Sequence, residues 1–171
     1  MKKLLLVFSL MLACTFTTAQ TQQGGKFLEV GTSFTPSTVS STGINFTTTD
    51  KLNTFNVGAE GGYFVADNLA LKAGLGYGDV AYDGENLGSA FSYKVGVKYY
   101  AGGFIPLGVD FNGADVKGAN ENPNYVGLSA GYAWFVGDQV SFEPHGRYDI
   151  ATNNAYKNVF SLGLGINVCF K

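Results

Sequence analysis

The sequence contains little charge, few prolines, two cysteines and no apolar run long enough to form a membrane-spanning helix. Only 14% of its 171 residues are charged, and 11 basic against 13 acidic residues leave no basic excess for nucleic acid. A hydrophobic content of 46% excludes a disordered chain, which requires low hydrophobicity and high net charge. Glycine, threonine, asparagine and phenylalanine stand where a coiled coil would use alanine, glutamate, lysine and leucine.

Glycine and aromatic residues are abundant instead. The chain has 24 glycines, 14 phenylalanines and 10 tyrosines. Aromatic residues favour strands and glycine favours turns, and the length suits one domain. The composition therefore predicts an all-β domain built from many short strands.

The N-terminus reads as a secretory signal peptide. Two lysines follow the first methionine, an apolar run covers Leu4–Leu12, and small residues lead to Ala19. The run is shorter than the roughly 20 residues that a transmembrane helix needs. We expect cleavage after Ala19, which gives a signal peptide at 1–19 and a mature domain at 20–171.

Lipoprotein processing at Cys14 is the alternative, although Met11 stands where such sites prefer leucine. Cleavage after Ala19 would remove Cys14 and leave Cys169 alone, which excludes an intramolecular disulfide and a cysteine-based metal site. No other motif indicates a metal or a cofactor, so we expect none. The expected role of Cys169 is to fill space inside the domain.

From Phe27 onward, side chains alternate with a period of two, which predicts strands. Most of the segments approach the roughly 9–11 residues of a tilted transmembrane strand. The eight predicted strands are Phe27–Phe34, Phe55–Val65, Leu69–Gly78, Phe91–Tyr100, Phe104–Asn112, Tyr125–Val136, Val140–Ile150 and Val159–Phe170.

One face of these strands carries no charge, and the other is polar and rich in glycine. The titratable residues of the polar face are Glu29, Glu60, Lys72, Lys94, Lys98, Asp110, Glu143, His145, Arg147 and Asp149. A soluble β-sandwich would turn the apolar face inward, and a membrane barrel would turn it outward to lipid.

The connections between strands favour the barrel. Three are short (Ala66–Asn68, Ala101–Gly103 and Gly137–Gln139), and they alternate strictly with longer ones. Outer-membrane barrels have short periplasmic turns and long extracellular loops. A sandwich has no reason to sort its connections by side.

Aromatic residues on the apolar face cluster at its two ends, as membrane interfaces select. The predicted girdle at the long-loop end is Phe34, Phe55, Tyr77, Phe91, Phe111, Tyr148 and Phe160, and that at the short-turn end is Tyr63, Tyr99, Trp134 and Phe170. We expect an eight-stranded antiparallel up-and-down barrel that pairs its first strand with its last.

Two prolines fall within predicted strands, Pro106 in the fifth and Pro144 in the seventh. Each removes a hydrogen-bond donor from its ladder. We expect a bulge or a locally broken ladder at both.

The inward charges are nearly balanced, with five acids and four bases. If Tyr100 lies opposite Phe104, Lys94 falls opposite Asp110. In the hairpin of the second and third strands, counting from Val65 and Leu69 places Glu60 diagonally across from Lys72. Balanced pairs predict a lumen plugged by side chains, as is usual for eight strands. A narrow ion-selective pore is the alternative, since inward glycines leave volume for water.

The hairpin GYFVADNLALKAGLGYG and the last strand VFSLGLGINVCF resemble the OmpA/OmpX-like group of small outer-membrane β-barrels. The last strand is similar to the terminal signal read by the barrel assembly machinery, displaced by one residue because Lys171 follows Phe170. The resemblance covers 20–171 and carries no catalytic motif. It implies structural or surface-interaction roles, such as adhesion and defence, in the outer membrane of a Gram-negative bacterium.

The expected partners follow from this resemblance. They are outer-membrane lipid and lipopolysaccharide, the barrel assembly machinery during biogenesis, and an extracellular ligand bound by the long loops. We expect the protein to be a monomer and not to bind nucleic acid. A small-conductance, porin-like channel is the alternative function. We expect no peptidoglycan-binding domain after the barrel, so the resemblance does not imply wall anchoring.

His145 raises an enzyme hypothesis, because some outer-membrane barrels use a Ser/His pair on lipid A. Such a pair needs a serine within hydrogen-bond reach, and Ser129 and Ser141 share its face. The next position on that face is Arg147, however, and the histidine points into the lumen. We therefore expect a lumen histidine and no enzymatic activity.

Two predicted loops are candidates for surface contacts. Thr35–Asn53 contains apolar residues that would either meet a partner or pack on the barrel rim. Asp79–Asn86 holds three acids and no base, without the residue order of a calcium loop. We expect the second to be a solvated acidic loop.

Overall fold

The computed structural model describes residues 21–33, 43–49, 52–82, 85–118 and 121–170. The predicted signal peptide and Phe34 lie outside these ranges, so the cleavage site and domain boundary remain predictions. The strands are β1 (Lys26–Ser33), β2 (Asn45–Thr49), β3 (Leu52–Ala66), β4 (Leu69–Tyr82), β5 (Glu85–Ala101), β6 (Ile105–Val116), β7 (Asn124–Gly131), β8 (Trp134–Val136), β9 (Val140–Ala151) and β10 (Val159–Phe170).

The strands close into an antiparallel barrel. Along the wall, β3, β4, β5, β6, β7, β9 and β10 are neighbours in that order, and β1 joins β10 to β3. β1 pairs with β10 from Lys26 opposite Phe170 to Ser33 opposite Gly163. β7 and β8 form one interrupted strand, and β2 is additional. The predicted eight-stranded closure is confirmed.

The apolar face points outward. Leu75 and Val95 are 59% and 58% exposed, whereas the charged side chains of the opposite face are largely buried inside the barrel. An outward apolar belt around a polar interior is the pattern of a transmembrane barrel and excludes the soluble sandwich. In the described residues, no helix is long and apolar enough to cross a membrane.

The three predicted tight turns are confirmed, and all lie at one end of the barrel. Asn68 (φ 65°) completes the β3–β4 turn, and Gly137 (φ 73°) lies in the β8–β9 turn. Gly102 and Gly103 have φ of 63° and 83° between β5 and β6. Glycine adopts this left-handed backbone without a Cβ clash, and asparagine enters it more readily than most other residues.

The predicted acidic loop at Asp79–Asn86 is wrong. β4 continues to Tyr82 and β5 begins at Glu85, with Asp79 paired to Ser89. The β4–β5 hairpin therefore extends well past the apolar belt, into a region where a strand can carry polar side chains. β2 likewise forms within the predicted first loop, paired to the start of β3.

Each proline has a continuous ladder on one side and an interrupted one on the other. The β5–β6 register runs without a shift past Pro106, and the β9–β10 register does the same past Pro144. The β6–β7 ladder, however, stops at Leu107 opposite Ala130, one residue short of Pro106, so the locally broken ladder expected there is found on that side. Pro106 is the second residue of β6, where a missing donor is tolerated. At Pro144 the ladder is broken as predicted, because β7 ends at Gly131 and β8 starts at Trp134 while Tyr132 still donates to the Pro144 carbonyl at 3.0 Å.

Candidate functional site

The ten titratable residues predicted to face inward all lie in the lumen. Arg147 and His145 are partly buried, and the rest are buried: Glu29, Glu60, Lys72, Lys94, Lys98, Asp110, Glu143 and Asp149. They come from β1, β3, β4, β5, β6 and β9, so the network crosses the barrel from wall to wall. The closed sheet positions each side chain through strand parity.

Arg147 is the centre of the network at the long-loop end. Its Nη2 and Nη1 donate to Asp110 Oδ1 and Oδ2 at 2.6 and 2.8 Å, a bidentate pairing. Nη2 also lies 2.7 Å from Asp149 Oδ1. Asn112 Nδ2 donates to both aspartates at 3.0 Å. One guanidinium thus neutralises two buried carboxylates, as its planar fork allows.

Two lysines continue this network across the lumen. Lys72 Nζ lies 3.5 Å from Asp110 Oδ2 and 3.0 Å from Glu60 Oε2. Lys94 Nζ donates to the other oxygen of Glu60. Charges of opposite sign therefore alternate from Lys94 to Asp149.

A second network lies toward the short-turn end. Lys98 Nζ lies 2.7 Å from Glu29 Oε2 and 2.6 Å from Glu143 Oε2. The Tyr100 hydroxyl donates to Glu143 Oε1 at 2.8 Å. The ammonium also lies 5.4 Å from the centroid of the Phe27 ring, within cation–π range.

The predicted opposition of Lys94 and Asp110 is wrong. The β5–β6 register places Tyr100 opposite Pro106, two residues from the assumed pairing, so Lys94 faces Asn112. The difference arises because the three-residue turn is Gly102–Phe104, one residue later than the predicted Ala101–Gly103, which moves the register by two. In the β3–β4 hairpin, Glu60 faces Gly74, which puts it diagonal to Lys72 as expected.

Lumen glycines provide room for these side chains. A Cβ on Gly127 would collide with the Arg147 guanidinium. On Gly165 it would lie 2.8 Å from Glu29 Oε1, and on Gly163 2.8 Å from His145 Nε2. Charged side chains thus lie across the glycine backbone and occupy the volume beside it.

Four aromatic rings that were not predicted from the sequence close the short-turn end. The ring centroids of Phe27 and Phe64 are 5.7 Å apart, those of Phe64 and Tyr100 6.0 Å, and those of Tyr100 and Phe135 6.3 Å. Cys169 is buried in the same cluster. The available signal was their position on the glycine-rich face beside the tight turns.

His145 is held by the backbone. Its Nδ1 lies 3.0 Å from the carbonyl oxygen of Glu143. Ser141 donates its hydroxyl to the Glu143 carboxylate at 3.1 Å. Within the described ranges, therefore, the hydrogen bonds of this histidine and this serine do not join them as a catalytic pair.

The predicted girdle residues point outward. All of them except Phe34, which lies outside the described residues, are exposed: Phe55, Tyr63, Tyr77, Phe91, Tyr99, Phe111, Trp134, Tyr148, Phe160 and Phe170. Rings at both ends of an outward aliphatic belt suit a membrane interface.

The β6–β7 and β9–β10 connections are joined to each other at the opposite end from the tight turns. Tyr156 donates its hydroxyl to the Glu121 carbonyl at 2.9 Å, and Asn153 Nδ2 donates to the Asn122 carbonyl at 3.0 Å. The Thr152 amide donates to the Asn124 carbonyl at 2.9 Å. We call this group of contacts the rim cluster.

No protein-family model and no curated relative matches the chain. Among solved structures, it is similar to the N-terminal β-barrel domain of Pseudomonas aeruginosa OprF, with a TM-score of 0.54, 14% identity, and 86% of this chain and 98% of that one covered. A de novo designed transmembrane β-barrel gives a TM-score of 0.52 at 14% identity, covering 88% and 99%.

Yersinia pestis outer membrane protein Ail gives a TM-score of 0.50 at 10% identity, covering 86% of this chain and all of that one (100%). Identities this low support a statement about fold alone. The chain has the fold of the small eight-stranded outer-membrane β-barrels.

Proposed function

We propose that this chain is a non-enzymatic, monomeric protein of a Gram-negative outer membrane, exported with a signal peptide at 1–19. Its lumen is plugged by side chains, and it acts through its extracellular end in a structural or surface-interaction role such as adhesion or defence. Lipid and lipopolysaccharide surround the belt, and the barrel assembly machinery inserts it. The lumen network carries the proposal, because it pairs the inward charges and covers the glycines.

Charge pairing supports a plug. A buried charge without a partner costs several kcal/mol, and the inward acids and bases lie in alternating contacts. The aromatic rings at Phe27, Phe64, Tyr100 and Phe135 add an apolar closure at the short-turn end. A lumen built to conduct ions would leave charged groups facing water.

The rim cluster supports a surface role. Hydrogen bonds between two connections hold the loop backbone in one arrangement before a partner arrives, which lowers the entropy lost on binding. Rigid barrels commonly carry function on such loops. The surface therefore suits contact with a partner outside the cell.

A small-conductance channel is the second candidate, and Asn167 favours it. This side chain is fully buried in β10, and within the described residues neither Nδ2 nor Oδ1 has a hydrogen-bond partner. Buried amides are normally satisfied, by water where protein groups do not reach. A hydrated lumen would supply such water.

Single-channel recording of the mature chain refolded into a planar bilayer separates the two candidates. The proposal expects a folded but silent barrel at high salt. The double variant Phe64→Ala/Tyr100→Ala, which removes two plug rings, is the positive control and should conduct if it folds. Long-lived openings of the unmodified protein would overturn the plug and establish the channel.

Adhesion tests the surface role separately. Cells that display the protein would be compared with cells that display a variant whose 152–158 connection is replaced by glycine and serine. Cells that display the variant are expected to lose attachment when the two proteins are present in equal amounts on the cell surface. Equal attachment would contradict a role for the rim cluster.

A further inference from the structure

The two ion-pair networks of the lumen differ in their charge balance. The upper network, at the long-loop end, has three acids and three bases: Glu60, Asp110, Asp149, Lys72, Lys94 and Arg147. The lower network, toward the short-turn end, has a single lysine, Lys98, between the two carboxylates of Glu29 and Glu143. Among the described residues, with the histidine neutral, the lower network therefore carries one negative charge more than its lysine neutralises.

The lower network is enclosed by described residues. The rings of Phe27, Phe64 and Phe135 lie on its short-turn side. On its other side is the upper network, which begins at Glu60, directly opposite Glu29 in the β1–β3 ladder. An excess charge in this enclosed space is costly unless a cation compensates it.

The excess charge lies on one particular oxygen atom. Both oxygens of Glu143 have donors, since Oε2 contacts Lys98 and Oε1 accepts hydrogen bonds from Tyr100 and Ser141. Glu29 contacts Lys98 through Oε2. Its Oε1 lies on the β10 side, 2.8 Å from where a Cβ on Gly165 would be. The Oε1 atom of Glu29 therefore presents negative charge to the inner face of β10.

Asn167 of β10 lies beside this oxygen. It is directly opposite Glu29 in one ladder and directly opposite Ser141 in the other, so the three side chains form one row across β1, β10 and β9. Directly opposite side chains have Cβ atoms about 4.5–5.5 Å apart. Asn167 is 0% exposed, and within the described residues neither Oδ1 nor Nδ2 has a hydrogen-bond partner. A buried amide oxygen without a donor thus stands between the excess charge and a hydroxyl group.

We propose that the lower network binds one small monovalent cation, sodium or potassium, between Glu29 Oε1, Asn167 Oδ1 and the Ser141 hydroxyl oxygen. Carboxylate, amide and hydroxyl oxygens are the ligands that hard cations take. One positive charge neutralises the network, whereas a divalent ion would leave an excess of the opposite sign. Within the described ranges, no group of three or more His, Cys, Asp or Glu side chains is arranged to hold a metal ion, which argues against a transition metal.

This inference rests on the plugged lumen of the proposed function, and it names an ion that completes the plug. No sequence motif marks the site, because its three side chains come from strands that meet only in the closed barrel. A water molecule alone would satisfy the amide of Asn167 and leave the charge of Glu29 unneutralised.

His145 is the competing source of positive charge. Its Nδ1 lies 3.0 Å from the Glu143 carbonyl oxygen, and its Nε2 lies over Gly163, two residues along β10 from Gly165. A proton on this imidazole would also balance the network. The test is therefore made at alkaline pH, where an ordinary imidazole is neutral.

Equilibrium unfolding of the mature chain by urea in lipid vesicles tests the site, because an ion that binds only the folded barrel stabilises it. Sodium, potassium and choline chlorides would be compared at equal ionic strength and about pH 8.5. Choline has the same charge and is too large for the site. The folding equilibrium constant should be about 10-fold higher in about 300 mM sodium or potassium chloride than in choline chloride. Equal constants in the three salts overturn the proposal.

Substitutions locate the effect. Glu29→Gln removes the excess charge and should abolish the stabilisation by sodium. Asn167→Leu removes a ligand and should weaken it strongly, which keeps the test decisive if Glu29→Gln does not fold. Asp138→Asn, at an exposed carboxylate in a tight turn, is the matched control and should keep the full sodium effect, as should His145→Gln. A sodium effect that persists in Glu29→Gln, or that disappears in His145→Gln, contradicts the site.

Equilibrium dialysis of the barrel in nanodiscs against radioactive sodium measures binding directly. We expect one ion per unmodified barrel and none in Glu29→Gln. If the unmodified barrel retains no sodium, Asn167 holds water only and the proposal is wrong. A silent folded barrel that does not respond to sodium would overturn this site and leave the plug intact, whereas long-lived channel openings would overturn the plug itself.

Discussion

Glu29 and Glu60 occupy directly paired positions on β1 and β3, so two buried carboxylates face each other across one ladder. Like charges directly opposite are destabilising unless cations separate them. Lys98 neutralises Glu29, and Lys72 and Lys94 neutralise Glu60. The two lumen networks therefore meet at this pair, and each depends on its own lysines.

Lys98→Met should destabilise the barrel by about 3–5 kcal/mol, because it leaves Glu29 and Glu143 buried without their cation. Urea unfolding in lipid, followed by far-UV circular dichroism, measures the change. Lys157→Met, at an exposed position, is the matched control and should change stability by less than about 0.5 kcal/mol. Adding Glu29→Gln to Lys98→Met should recover part of the lost stability. A double variant that is no more stable than Lys98→Met alone would contradict the pairing of Lys98 with Glu29.

Lys94→Ala should destabilise the barrel through Glu60 and not through Asp110. A double-mutant cycle between Lys94→Ala and Glu60→Gln should give a coupling of roughly 1–3 kcal/mol. The cycle between Lys94→Ala and Asp110→Asn should give a smaller coupling, because Asp110 is held by Arg147 and Lys72. A larger coupling to Asp110 would refute the register in which Lys94 faces Asn112.

Strand parity and connection length predicted the barrel, because membrane and lumen impose opposite polarity on alternate residues. Alternation does not fix register, since a shift of two residues keeps every side chain on its face. This is why the inward position of Lys94 was predictable and its partner was not. Outside the apolar belt the constraint disappears, so β2 and the extension of β4 past Gly78 escaped prediction.

The aromatic closure was hidden for a related reason. Phe64 and Tyr100 lie on the polar face, where charged residues and glycines dominate the pattern. The aromatic residues that close the lumen and those that form the membrane-interface girdles are of the same types, so composition does not separate them. Only the parity of the position distinguishes them.

Gly127→Ala should destabilise the barrel by about 1–3 kcal/mol, because the added methyl group meets the guanidinium of Arg147. Gly146→Ala is the control, since its Cβ would have ordinary contacts at 3.8 Å. Thermal unfolding in lipid compares the two variants. Similar losses of stability in the two variants would mean that Gly127 is needed for backbone flexibility and not to leave space for the Arg147 guanidinium.

Tyr156→Phe should loosen the rim cluster without unfolding the barrel. The substitution removes the hydroxyl that donates to the Glu121 carbonyl and keeps the ring, whose centroid lies 6.4 Å from that of Tyr125. We expect faster hydrogen exchange and faster proteolysis within 152–158, with the urea midpoint nearly unchanged, because local opening is separate from global unfolding. Asn154→Ala, at an exposed position of the same connection, is the matched control and should leave both rates unaltered. If Tyr156→Phe behaved like that control, the cross-loop hydrogen bond would not hold the rim cluster in place, and the proposed binding surface would not be preorganised by it.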